Sequence, residues 1–155
     1  MGRFYFRMES ILNVREKIEE QKKQEYSNAL NELHREISIK EKLTEESNEL
    51  IHLLRSKIHD SIAPNEIIFY NNYGNFLKRK IIKQEENVKL AYEKAEKKRQ
   101  ELIEASRQKK MLEKLKEKHW FNFLDDENKK EQRSIDEVVS FQSQNRLIDR
   151  SETNS

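Results

Sequence analysis

The sequence has no cysteine, a single proline (Pro64) and only two glycines (Gly2 and Gly74). Without cysteine there is neither a disulfide framework nor a thiolate metal site, a composition that fits a reducing compartment. Two glycines and one proline are too few for the many turns of a β-sandwich or barrel. No apolar run approaches the roughly 18 residues that a membrane span requires. The N-terminus shows no apolar core of a secretory signal. Hydrophobic residues make up only 34% of the 155, and charged residues 39%. That balance reads as disorder unless the apolar residues carry a period.

They do carry one. From Tyr73 to Leu124 the helix formers Glu, Lys, Gln, Arg, Leu and Ala dominate, and after Gly74 neither glycine nor proline interrupts them. Leu77, Ile81, Val88, Tyr92, Ala95 and Leu102 recur every three or four positions or a multiple, which predicts one apolar stripe on a long helix. An earlier helix is expected over about 8–60, with Ser10 as N-cap. Its stripe starts at Ile11, Val14 and Ile18, and the register then slips through Lys22 to Tyr26, as at a stutter. It continues through Leu30, Leu33, Ile37, Lys40, Thr44, Ser47, Ile51, Leu54 and Ile58. The polar seam positions weaken packing but help to fix register.

Between the helices, 61–75 reads as a hairpin tip. Pro64 suits a helix start, with Glu66 near the positive helix end. Residues 64–72 form one or two turns, or else belong to a continuous but kinked second helix. So short a connection makes the two long helices antiparallel. The expected fold is therefore all-α, a long antiparallel two-helix coiled-coil hairpin in a single domain. Its second helix spans about 76–141, and a frayed tail covers 142–155.

Charge is unevenly spread. Residues 77–124 hold 15 Lys and Arg against 8 Glu, a net of +7, between mildly acidic flanks. Such a distribution suits charge-guided docking. The stretch 107–118, RQKKMLEKLKEK, could meet phosphates, but Glu113 and Glu117 break it into ordinary helix-surface pairs. Trp120, Phe121, Phe123 and Leu124 crowd large apolar groups that one helix face cannot hide. They either close the hairpin end against Phe4 and Phe6 or dock on another protein.

Catalytic signals are missing. His34, His52, His59 and His119 have no metal spacing, and there is no glycine-rich phosphate loop. A solvated coiled coil also lacks a concave pocket in which to shift carboxylate pKa values. No enzyme activity and no cofactor are expected.

Three stretches, taken in order, resemble the FliJ family of flagellar type III export proteins. They are FRMESILNVREKIEEQKKQE (6–25), SIAPNEIIFYNNYGNFLKRKIIKQEENV (61–88), and RQKKMLEKLKEKH (107–119) followed by EQRSIDEVVSF (131–141). The Asn71–Asn75 tract with Gly74 and the bulky WFNFL depart from the family pattern. The resemblance implies a cytoplasmic stalk, similar to that of rotary ATPases, at the cytoplasmic side of the flagellar basal body. Its implied partners are the hexameric export ATPase, the cytoplasmic domain of the membrane export gate, and export chaperones. Aligning the tip places the gate-contacting face on Tyr73, Leu77, Lys80 and Gln84, with Leu43 and Leu50 nearby. The ring-facing parts would be Phe4, Phe6, Trp120, Phe121, Asp136 and Glu137. The implied molecule is a monomeric hairpin that takes no nucleic acid and no small-molecule substrate. The residues also leave open a generic coiled-coil scaffold or self-associating rod, or a nucleic-acid-binding hairpin that uses the basic helix.

Overall fold

In the computed structural model, residues 2–154 are described. Two helices account for nearly all of them: α1, Glu9–His59, and α2, Pro64–Thr153. There is no strand among the described residues. The helices pack antiparallel, giving the all-α hairpin that the periodicity predicts. The chain divides into two compact units, Glu16–Arg107 and the remainder.

Within Glu16–Arg107 the helices join at a turn shorter than the sequence suggests. α1 ends at His59, and Ser61 takes a left-handed φ of 73°. Pro64 then opens α2, where its missing N–H costs nothing. The N–H groups of Glu66 and Ile67 both donate to the Ala63 carbonyl, at 3.0 and 3.2 Å. The tract Asn71–Asn75 is helical throughout, so the break expected over 61–75 narrows to residues 60–63. Gly74 and the asparagines are poor helix formers, but they do not end a helix that packing holds on one side.

The buried seam differs from the predicted stripe. On α1 it follows Glu19, Lys22, Tyr26, Ala29, Leu33, Glu36, Lys40, Leu43, Ser47, Leu50, Leu54 and Lys57, all buried or half-buried. On α2 it follows Leu77, Ile81, Gln84, Val88, Ala91, Ala95, Lys98, Leu102 and Ala105. Both series alternate steps of three and four without a slip, as in a regular coiled-coil heptad. The expected stutter at Lys22–Tyr26 is therefore absent. Charged side chains occupy seam positions there, so a pattern counted on apolar residues alone jumps. For the same reason Ile51, Ile58, Thr44 and Tyr92, expected in the stripe, lie on exposed flanks. Tyr92 is 60% exposed, while its neighbour Ala91 is buried.

The core proper is small. Ala29, Leu33, Ala91 and Ala95 form the buried cluster, with Leu30, Ile37 and Val88 packed against it. Small alanines on both helices let the backbones come close. On either side the seam is polar but satisfied. Gln84 Nε2 donates to the Glu36 carbonyl at 2.8 Å and also to its carboxylate. The Ser106 hydroxyl donates to the buried Glu19 carboxylate at 2.7 Å. Lys22, Glu25, Lys98 and Glu101 close a four-charge network at 3.3–3.4 Å that crosses between the helices. No buried side-chain polar atom lacks a partner among the described residues.

The other unit takes in the chain up to Arg15 and from Gln108 onward. Here α1 begins at Glu9, preceded by a turn in which the Glu9 N–H donates to the Phe6 carbonyl at 3.1 Å. Ser10 thus lies inside the helix and is not the expected cap. Glu9 stands in the first turn, where a carboxylate favours the helix dipole, and it pairs with Lys116 at 2.9 Å. Ile11 and Val14 are exposed and Leu12 is buried. α2 stays helical through Gln142 to Thr153, where a frayed tail was expected.

Candidate functional site

Two regions hold the residues that sequence analysis singled out. At the tip, in the unit Glu16–Arg107, Leu77 is 1% exposed and is the best-buried apolar residue among those described. Gln84 is likewise buried, bonded to Glu36 and accepting from the Asn87 side-chain amide at 3.2 Å. Neither presents a side chain to a partner while the hairpin is closed. Tyr73 is half-buried, and its hydroxyl donates to the Glu46 carboxylate. That bond holds the phenol on the hairpin and raises its pKa above the ordinary value. The Tyr73 ring stacks on Phe76 with centroids 6.3 Å apart, and Lys80 Nζ sits 4.9 Å over the Phe76 ring. Of the four α2 residues, only Lys80 is exposed. Leu43 and Leu50 are half-buried in the α1 seam. Leu50, Leu54, Tyr70, Gly74 and Lys78 help to line a shallow groove beside Gly74.

The tip also exposes apolar residues outside that predicted gate-contacting set. Ile67, Ile68, Phe69 and Phe76 are all solvent-exposed, as is Ile58 at the end of α1. Tyr70 instead turns toward α1, where Lys57 Nζ donates to its hydroxyl at 2.6 Å and lies 4.8 Å from its ring centroid. That hydrogen bond raises the Lys57 pKa. A sequence signal existed: across 61–77 the only charged residue is Glu66, in a chain 39% charged.

In the other unit, the extended lead-in lies along α2. Phe4 packs edge-on to Trp120 at 5.1 Å and meets Phe123 at 5.5 Å. Trp120 and Phe123 stack at 5.7 Å. Phe6 is buried, with His119 5.6 Å away edge-on. The Gly2 N–H reaches the Glu127 carboxylate at 3.5 Å. The structure therefore brings Phe4, Phe6 and Trp120 together, as the closing of the hairpin end requires. It leaves Phe121 out of that cluster, 58% exposed. Trp120 keeps 41% of its surface open even under Phe4. Asp136 and Glu137 are exposed on a stretch of α2 that carries no covering chain, with Gln132 donating to Asp136 at 3.1 Å. Nearby, Ile135, Val138, Val139 and Phe141 are exposed as well.

None of this geometry resembles a reaction centre. No group of three metal-ligating side chains occurs among the described residues, and no helix among them is long and apolar enough to cross a membrane. What the chain exposes is two surfaces, one apolar and aromatic at the tip, one aromatic and acidic toward the end of α2.

Comparisons with known proteins bear on the family to which these surfaces belong. A comparison with curated protein sequences finds no match. A solved structure of a protein described as a YscO homologue, from Chlamydia trachomatis, is similar at 20% identity, covering 92% of this chain and 96% of that one with a TM-score of 0.46. The family model for the flagellar FliJ protein matches residues 4–147. That span takes in both helices, the tip and the aromatic lead-in, and the chain accordingly belongs to the flagellar FliJ family.

Proposed function

We propose that this chain is a coupling stalk of the flagellar type III export apparatus, linking a hexameric export ATPase to the membrane export gate and escorting export chaperones. The observation that supports it most is the closed, regular seam of Glu16–Arg107. A hairpin whose polar layers are all satisfied and locked in one register transmits force rather than absorbing it. Membership of the flagellar FliJ family supports a role in that apparatus, and the setting proposed is the cytoplasmic side of the flagellar basal body. The ring-facing surface is the aromatic end with its uncovered continuation: Trp120 under Phe4 and the exposed Phe121 as apolar anchors, Phe6 closing the end against His119, and Asp136 and Glu137 as charged contacts. The gate-facing surface uses Tyr73 and Lys80 directly. Leu77 and Gln84, with Leu43 and Leu50 from α1, set the position of that face from within the hairpin.

The test is to mix the protein with its cognate export ATPase and to follow hexamer formation and ATP hydrolysis. Stimulation that a chain lacking 125–155 fails to give supports the stalk. No binding and no stimulation from a chain shown to be helical sinks it, and leaves the scaffold reading. The nucleic-acid reading finds less support. Lys94, Lys98 and Lys116 of the basic helix are already matched by Glu32, Glu25 and Glu9 of α1.

A further inference from the structure

We infer that the hairpin tip is a lipid-contacting element that sinks end-on into an anionic membrane surface. Ile67, Ile68 and Phe69 follow one another at the start of α2, and they are 39%, 58% and 65% exposed. Successive helical residues point about 100° apart, so these three side chains cover most of the circumference of the helix end. A second helix or a protein groove packs against one face and leaves the others in water. A medium that surrounds the end covers all three. Ile58, exposed in the last turn of α1, adds to the same apolar cap.

The charge pattern fits that medium. From 61 to 77 the chain carries Glu66 alone, and the end of α1 beside it adds His59, Asp60 and a Lys57 already bonded to Tyr70, so the charges that enter an apolar layer are few and of both signs. Eleven residues after Ile67, Ile68 and Phe69 come Lys78, Arg79 and Lys80, all exposed. Eleven residues are close to three helical turns, so each cation lies below one of the three apolar residues, about 16 Å along the axis. Long basic side chains bend toward phosphates and cover that distance in part. Membrane binding without a span scales with buried apolar area plus electrostatic attraction to anionic lipid, and the tip and its cations supply one of these each. Asn71, Asn72 and Asn75, all exposed, supply uncharged hydrogen-bonding groups between the cap and the collar. The inference does not depend on the export assignment, and its test leaves residues 125–155 in place.

The experiment is co-sedimentation of the full chain with phosphatidylcholine vesicles, with and without about 30% phosphatidylglycerol. The intact protein is expected to pellet with the anionic vesicles and to stay in solution with the neutral ones. Ile68→Asn with Phe69→Asn removes two exposed side chains without touching the seam, and is expected to cut binding at least about tenfold. Arg79→Glu with Lys80→Glu is expected to abolish the preference for anionic lipid. Leu90→Asn, an equally exposed apolar loss on the outer face of α2, should bind as the parent does. Failure of the intact chain to pellet with either vesicle overturns the proposal. So does undiminished binding by the Ile68/Phe69 variant. Concentration-dependent dimers that this variant dissolves, with vesicle binding unchanged, would assign the tip to a second copy instead.

Discussion

Ser61 adopts a φ of 73°, a region where a Cβ costs about 1 kcal/mol and glycine costs nothing. Thirteen residues on, Gly74 stands inside α2 with no positive φ, where a glycine costs about 1 kcal/mol relative to alanine. A Cβ added at Gly74 meets only Leu50 Cδ2, at an ordinary 3.6 Å. Each position therefore suits the kind of residue that the other holds. Gly74→Ala is expected to stabilise the chain by about 1 kcal/mol, read as a raised urea midpoint. Ser61→Gly is expected to gain somewhat less, about 0.5 kcal/mol, because glycine also widens the unfolded ensemble. A loss of stability in Gly74→Ala would mean that helix approach at Leu50 is tighter than 3.6 Å implies. This detail was half legible in the sequence. Pro64 and Glu66 announced the helix start, but Gly74 among asparagines looked like a second break. Propensity weighed against a helix there, and packing of Tyr70, Gly74 and Leu77 on α1 overrode it.

At the scale of the element, the question is which residues form the seam. The sequence places Tyr92 in it, and the structure places Ala91 there. Two substitutions separate these alternatives. Ala91→Leu forces extra methylenes between closely packed backbones and is expected to cost about 1–3 kcal/mol. Tyr92→Ala alters an exposed side chain and is expected to stay within about 0.5 kcal/mol. The reverse ranking would restore the sequence-derived stripe. The helices, their antiparallel pairing and the polar character of the seam were all readable. The register of α1 was not, because Glu19, Lys22, Glu36 and Lys40 occupy seam positions that an apolar count skips. Only their partners on the facing helix reveal them as seam residues.

The same charged layer gives the element a pH dependence. Hydrogen bonds from Lys98 and Lys22 to Glu25, and from Lys22 to Glu101, hold both carboxyls below the ordinary 4.5. A carboxyl with a depressed folded pKa stabilises fully above its unfolded value, and the effect is lost as pH falls through the folded value. Bonds to Glu101 and Glu25 likewise raise the Lys22 pKa above 10.5, so its contribution is present below that value and fades as pH climbs through the folded one. Unfolding midpoints are thus expected to be flat from about pH 5 to 10 as far as this network is concerned, and to fall on both sides. Replacing Lys22, Glu25, Lys98 and Glu101 together by leucine should remove this layer's part of both slopes. Slopes unchanged in that variant would show that other groups set the acid and alkaline limits.

At the scale of the whole molecule, stability is distributed along α2 by what each stretch has to lean on. Residues 84–105 face α1 through buried Gln84, Ala91, Ala95 and Ala105. Every described residue beyond Glu127 is exposed, and the bonds shown for them run within three or four residues: Lys129 to Asp125 at 2.9 Å, Gln132 to Asp136 at 3.1 Å. Such pairs add a few tenths of a kcal/mol each, and a helix without a packing partner is marginal in water. The sequence led to an expectation of fraying from Gln142. The structure keeps that stretch helical, because the helix is already nucleated upstream and each further residue needs only propagation. Amide hydrogen exchange is therefore expected to be slowest between 84 and 105 and to quicken steadily from about 128 to Thr153. Truncation after Lys130 should then reduce the helical circular-dichroism signal and leave the thermal midpoint within about 2 °C of the parent. A drop of several degrees would mean that residues beyond 130 support the pairing of α1 with α2. An unchanged midpoint would leave them free to spend their exposed Ile135, Val138, Val139 and Phe141 on a partner.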